Sequence, residues 1–441
     1  MISPLKNHED LDTRFFIEQS NGLNSITEIL PDINPSALPL LLVYDENTKK
    51  AAGDAVRKIL GAKQILHREL LLVPGGSKIV TAEYSRVEDI KEAAQRENAY
   101  LVAVGSGTIN DLVKRAAFEM DRSYLCIPTA SSVDGYSSVG AALVKDGYKT
   151  TLPCPPPVAI IADPDILKEA PYGMTASGYG DLYSKFPAGV DWILADRLGI
   201  EPIDQESWSM VQDDLASWLS SPQKLKDGDP AAFAGLFRGL TMSGFAMQVY
   251  KDSRPASGAE HMISHIWEMA HLSRDGIPFS HGFKVSVGTV LVSSLMEMFF
   301  TTSFKGVSVD DILKKQESWE QRAASIGKHF PDPGLKALVE DASKSKWTGA
   351  KDMPDRIGKI ISLLPELNQQ FKQRVGSAEK VISDLRSAGC PVSFREFGLT
   401  REDAADAIFK AQMTRERYTV LDAIYEVGLL PELIERVCGK F

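Results

Sequence analysis

Cysteine is scarce in this chain. Cys126, Cys154, Cys390 and Cys438 are the four among 441 residues, and they are widely separated with no CxxC pair. That pattern excludes a zinc knuckle and a disulfide scaffold, and it fits a reducing cytoplasm. The N-terminal stretch MISPLKNHEDLDTRFF lacks an apolar signal core, and no window approaches roughly 18 uninterrupted apolar residues, so neither a signal peptide nor membrane insertion is predicted. Positive charge is also in deficit: 49 Lys and Arg face 59 Asp and Glu, for a net charge of -10. Such a surface repels nucleic acid and anionic membranes, while leaving room for a locally basic pocket around a phosphorylated ligand. Internal repeats and low-complexity tails are absent too.

What is present is ample apolar content, 44% of the residues, and a length that favours two or three domains. Before residue 165, short apolar runs alternate with helical spacing. LPLLLVYDE (Leu38 to Glu46) precedes a helix over roughly Lys49 to Leu60. A second helix, about Val87 to Asn98, leads into YLVAV (Tyr100 to Val104), and a third, about Ile109 to Phe118, leads into YLCIP (Tyr124 to Pro128). Alternating β and α units predict a parallel α/β domain. AALVKDGYKTTL predicts a hairpin turning at Asp146-Gly147, and VAIIAD (Val158 to Asp163) a further strand.

After this point the chain reads as almost wholly helical. Helices are predicted over Glu206 to Trp218, Ala232 to Tyr250, Met262 to Leu272, Val285 to Phe300, Val309 to Phe330 and Arg401 to Val427, with breaks at SPQKLKDGDP and KWTGAKDMPDR. The expectation is an α/β nucleotide-binding domain over residues 1–165 and a helical domain over 166–441, with the site in the cleft between them.

Histidine is concentrated rather than common. Four of seven histidines, His261, His265, His271 and His281, fall within 21 residues. His261 and His265 are four apart and share a helix face. Two imidazoles from separate elements can ligate a divalent metal, but they bring no compensating charge, so a carboxylate is needed. Asp181, in TASGYGDLYSKFPAGVDW, is the candidate. An ordinary helix-start aspartate is the competing reading, as packing and capping are for the histidines.

In VAVGSGTINDLVKRAAF (Val102 to Phe118), a strand runs through Gly105-Ser106-Gly107-Thr108 into a helix. Small residues there let the chain approach an anion while unpaired N–H groups of the new helix face it, with Thr108 or Asn110 available as caps. The run is neither GxGxxG, since Asn110 holds the place of the third glycine, nor a P-loop, since Lys114 lies too far downstream. PTASSVDG (Pro128 to Gly135) adds a second small polar loop at the next strand end. Asp45 could accept from an adenosine ribose, which would favour NAD over NADP, or cap its own helix.

GSGTINDLVK, PTASSVDGYSS, SGYGDLYSK, RPASGAEHMISHIWEM and HGFKVSVGT, in this order over about Leu41 to Gly288, resemble the sn-glycerol-1-phosphate dehydrogenases, especially their bacterial branch. These lie within the wider group of glycerol dehydrogenases, iron-containing alcohol dehydrogenases and dehydroquinate synthases. The resemblance implies a dehydroquinate synthase-like fold, with an α/β dinucleotide domain and an all-helical metal-binding domain. It implies interconversion of dihydroxyacetone phosphate and sn-glycerol 1-phosphate with NAD or NADP and one divalent metal, nickel or zinc, in a homodimer.

By the same resemblance, Asp181, His261 and His281 fall on metal-ligand positions, and Asp134, Asp181 and His265 on substrate or catalytic positions. Gly105, Ser106, Gly107, Thr108, Ile109, Asn110 and Asp111, with Thr129, Ala130, Ser131, Ser132 and Ser138, fall on dinucleotide positions. His271 matches none and reads as structural. Lys185, Arg254 and Lys284 are candidates for the substrate phosphate, Glu260 for orienting an imidazole, and Trp192 and Trp267 for packing. The region after Gly288 shows no distinctive catalytic constellation. A small-polyol dehydrogenase on the same scaffold and a non-catalytic metal and nucleotide-binding module are the alternatives.

Overall fold

The structure, a computed structural model, describes residues 3–4, 11–75, 78–145 and 148–441. Its strands are β1 (Ser3–Pro4), β2 (Phe15–Glu18), β3 (Leu40–Tyr44), β4 (His67–Leu71), β5 (Tyr100–Gly105), β6 (Tyr124–Pro128), β7 (Ala141–Lys145), β8 (Tyr148–Leu152) and β9 (Ala159–Ala162), with a short antiparallel pair, β10 (Ser273–Arg274) and β11 (Ile277–Pro278), in the stretch expected to be all-helical. Seven form one sheet in the order β1-β2-β9-β6-β5-β3-β4. Pairing is parallel throughout except between β1 and β2.

β3, β5, β6 and β9 are continuous apolar runs because both of their faces are covered. Their alternate side chains feed two separate cores. Leu41, Val43, Leu101, Ala103, Cys126 and Ile160 pack with residues of the Tyr84–Glu97 and Gly107–Glu119 helices. Leu40, Leu42, Tyr44, Val102, Val104, Leu125 and Ile161 pack with the Ile26–Ile33 and Asp54–Ala62 helices.

This two-sided arrangement fixes where a ligand fits. β3 sends its following helix to one face and connects outward to β4, whereas β5 sends the Gly107–Glu119 helix to the other face and connects to β6. The order of strands therefore reverses between β3 and β5, and the crevice outside their carboxyl ends is the place where open α/β sheets bind ligands. Asp45 follows β3 there, and Ser106 follows β5.

β7 and β8 form the expected antiparallel pair, with Lys145 opposite Tyr148; the turn at Asp146-Gly147 lies outside the described residues. Three predicted helices are interrupted. Glu206 to Trp218 divides into Gln205–Gln212 and Leu215–Trp218, Val309 to Phe330 into Val309–Leu313 and Trp319–His329, and Arg401 to Val427 into Arg401–Met413 and Val420–Glu426. In the last two, Ser318 with Gln321 and Thr419 with Asp422 form capping boxes that start a new helix inside an apolar pattern that runs on across it.

The chain separates into two compact units made of non-consecutive stretches. One comprises Met1–Leu182, Glu206–Pro255 and Ser273–Gly282 and holds the sheet; the other comprises Tyr183–Gln205, Ala256–Leu272 and Phe283–Phe441 and is helical. His281–Phe300 is the one helix among the described residues long and apolar enough to cross a membrane, and 83% of that apolar window is buried inside the fold.

Candidate metal and dinucleotide sites

At the end of β5, Ser106 is the N-cap of the Gly107–Glu119 helix, with extended backbone and no cap from its side chain. The Gly107 N–H meets the Tyr136 hydroxyl, and the helix start as a whole faces the side from which an anion can approach. A Cβ on Gly105 would sit 2.6 Å from the Ile109 side chain, so the turn is as tight as the sequence suggested.

Neither Thr108 nor Asn110 is the cap. The Asn110 amide donates to the Gly135 carbonyl at 3.2 Å and accepts from the Tyr124 hydroxyl at 3.0 Å, which ties the helix to the loop after β6. Lys114 reinforces that tie. Fully buried, it donates to the carbonyls of Gly135, Ser138 and Gly140 at 2.8, 2.9 and 3.0 Å, a role that motif spacing alone did not reveal. Asp111 accepts from the Ala142 N–H at 3.2 Å. Thr129, Ala130, Ser131, Ser132 and Ser138 are all buried in the same loop.

Of the two readings open for Asp45, the structure displays the cap: its carboxylate accepts from the Thr48 N–H at 2.8 Å within a capping box. Its position beyond β3 also leaves it at the crevice of the sheet.

The loop after β6 reaches the helix Tyr172–Tyr183. The Ser177 hydroxyl donates to the Ser132 carbonyl at 3.2 Å, and a Cβ on Gly178 would lie 2.0 Å from the Ser131 carbonyl oxygen. The Asp134 N–H then donates to Asp181 Oδ2 at 3.0 Å, while the Asp134 carboxylate accepts from the Ser243 hydroxyl at 3.0 Å. Asp181 is fully buried and lies toward the end of its helix, not at the start. A carboxylate buried this deeply is suited to a nearby cation.

His261 lies in the Ala259–Met269 helix and His281 begins His281–Phe300. Among the described residues, Asp181, His261 and His281 form the group of potential ligands whose donor atoms all lie within 4.8 Å of one another. The Glu260 carboxylate takes His261 Nδ1 at 2.8 Å and the Gly258 N–H at 2.7 Å. With the ring proton on Nδ1, the lone pair of His261 is on Nε2, the form a metal requires. One carboxylate and two imidazoles are a donor set that fits a divalent ion and leaves coordination positions for substrate.

His265 is on the same helix, its ring centroid 6.2 Å from that of His261. Arg415 Nη2 lies 3.4 Å from His265 Nδ1. A guanidinium can only donate, so Nδ1 accepts and the proton of the neutral ring is on Nε2. The region after Gly288 thus supplies a side chain to this helix. His271 follows the end of the helix in the left-handed conformation, φ 51°, with its N–H donating to the Glu268 carbonyl at 3.0 Å, a structural exit turn.

The three phosphate candidates are all buried. Lys185 and Arg254 are enclosed, and Lys284 is paired with Glu268 at 3.2 Å. Trp192 and Trp267 are buried, as packing residues should be.

A family model described as iron-containing alcohol dehydrogenase matches residues 19–171. The glycerol-1-phosphate dehydrogenase [NAD(P)+] of Halalkalibacterium halodurans is 31% identical over 408 residues, 92% of this chain and 90% of that protein. The chain belongs to the glycerol-1-phosphate dehydrogenase family. Among solved structures, the glycerol dehydrogenase of Schizosaccharomyces pombe matches with a TM-score of 0.58 at 15% identity, covering 96% of this chain and 88% of that one. A sulfoacetaldehyde reductase from Bifidobacterium kashiwanohense in complex with NAD+ matches with a TM-score of 0.61 at 13% identity, covering 97% of both chains. These likenesses carry the fold: a parallel α/β N-terminal part and a mostly helical C-terminal part of the dehydroquinate synthase-like kind expected from the motifs, the C-terminal part departing from all-helical at the short pair Ser273–Arg274 and Ile277–Pro278.

Proposed function

We propose that this protein interconverts dihydroxyacetone phosphate and sn-glycerol 1-phosphate, using NAD(P) and a divalent ion, nickel or zinc, held by Asp181, His261 and His281. The observation that carries the reading is the convergence of those three donors, with Glu260 on the far nitrogen of His261. Such an ion would draw electron density from the C2 carbonyl oxygen while the nicotinamide supplies hydride to C2.

The protein's own residues prepare that geometry. Asp134 orients the Asp181 carboxylate through its N–H, and the loop carrying Asp134 is pinned by Asn110 and Lys114 to the helix that would receive the pyrophosphate. His265, with its proton on Nε2, would hold a water or the C2 hydroxyl and pass the proton between the substrate oxygen and solvent. Asp45 beside the crevice favours NAD through repulsion of a 2'-phosphate. The expected setting is the cytoplasm and the expected assembly a homodimer, which sedimentation of the purified protein tests.

The deciding assay follows NADH and NADPH oxidation with dihydroxyacetone phosphate and with unphosphorylated dihydroxyacetone, and determines the chirality of the product. Formation of sn-glycerol 1-phosphate, lost on chelation and in His261→Ala, is the expected result. Equal rates after chelation would remove the ion from the reaction, and a product that is only the 3-phosphate would remove the proposed stereochemistry. Preference for the unphosphorylated ketone would move the protein to the polyol dehydrogenases.

A further inference from the structure

The Arg415 guanidinium lies beside His265, on a segment fixed to the helix that carries His261. Residues 414–419 connect the Arg401–Met413 and Val420–Glu426 helices without regular structure of their own. Arg417 donates to the Ser257 carbonyl at 2.8 Å and also to its hydroxyl. The buried Asp191 carboxylate accepts from the Val420 N–H at 2.7 Å through one oxygen and from the Ala259 N–H at 2.9 Å through the other. One carboxylate thus holds both the end of the Arg415 segment and the start of the His261 helix. Arg415 is itself exposed, and His265 half-buried.

A phosphate dianion arriving from solvent requires a cation that solvent can reach, and it pairs best with the planar fork of an arginine. Lys185 and Arg254, at 0% and 1% exposure, do not meet the first condition, and Lys284 is neutralised by Glu268. Arg415 meets both. In dihydroxyacetone phosphate one methylene and one ester oxygen separate the carbonyl carbon from phosphorus, so the groups recognising the two ends must be neighbours, as His265 and Arg415 are.

We infer that Arg415 binds the phosphate of the substrate and sets the preference for phosphorylated over unphosphorylated ketones. This rests on the proposed triose phosphate reaction. The test compares metal-loaded wild type with Arg415→Lys, Arg415→Gln and Arg415→Ala for three readouts: kcat and KM on dihydroxyacetone phosphate, the same on dihydroxyacetone, and competitive inhibition by inorganic phosphate. The expected result in Arg415→Gln and Arg415→Ala is a rise of about tenfold or more in KM for the phosphorylated ketone, with the preference ratio and phosphate inhibition weakened by a similar factor and partly retained in Arg415→Lys. Equal losses on both ketones with unchanged phosphate inhibition would reduce Arg415 to orienting His265 and overturn the inference alone, as would kinetics identical to wild type. A wild type indifferent to the phosphate would overturn the functional reading and this inference together.

Discussion

Glu260 and His261 are adjacent in sequence, yet the carboxylate of one reaches the ring Nδ1 of the other at 2.8 Å. Glu260 is fully buried, so its charge acts on the imidazole in a medium that screens it weakly. Removing that charge while keeping the shape, in Glu260→Gln, should weaken nickel or zinc binding about 10- to 100-fold in a chelator competition. Unchanged affinity would mean that the contact only packs the helix.

Gly178 allows the loop after β6 to lie against the helix that carries Asp181. In Gly178→Ala the new methyl would meet the Ser131 carbonyl oxygen at 2.0 Å, a backbone atom that cannot swing aside. A loss of about 2 kcal/mol or more is expected in urea unfolding, with a fall in retained metal because Asp181 is three residues on. A variant as stable and as metal-replete as the parent would show that the helix and loop can separate at no cost.

The cap and the charge of Asp45 can be told apart. Asparagine caps a helix about as well as aspartate, so Asp45→Asn should keep stability within about 0.5 kcal/mol while removing the repulsion of a 2'-phosphate. The ratio of kcat/KM for NADPH to that for NADH is expected to rise. If the ratio holds constant, capping is the whole role of this residue.

Glu119 makes the α/β unit acid-sensitive. Burial by itself would raise its carboxyl, but hydrogen bonds from Lys91, Tyr84 and Arg115 outweigh it and hold the group at about 2. Its folded value is below the ordinary carboxylate value of 4.5, so the stabilisation is present above 4.5 and is lost as pH falls toward 2. Glu119→Gln should therefore be less stable than the parent by about 1 kcal/mol at neutral pH, with the gap closing across that acid window in denaturant titrations. A gap independent of pH would assign the loss to packing.

Much of the α/β unit was legible because its signals are local. Apolar runs of strand length, separated by amphipathic helices, placed β3, β5, β6 and β9, and Gly105-Ser106-Gly107 marked the turn. Helix interruptions at Ser318 and Thr419 were less legible, since a capping box sits inside an apolar rhythm that continues past it. Asn110 and Lys114 were legible as polar residues near a phosphate turn but not as buried ties, because their partners are backbone carbonyls some 20 to 30 residues away.

By itself the sequence determined the parallel α/β unit and the mostly helical remainder, because periodicity is a property of short stretches, while the three candidate ion ligands were implied by the resemblance of its motifs to a known family. Only the tertiary structure decided that Asp181 approaches two histidines 80 and 100 residues further on, that Glu260 leaves His261 Nε2 as the donor, and that Arg415 comes to His265 from the far end of the chain. Those meetings depend on backbone approaches such as that of Gly178 to Ser131 and on shared partners such as Asp191, and long-range packing creates both.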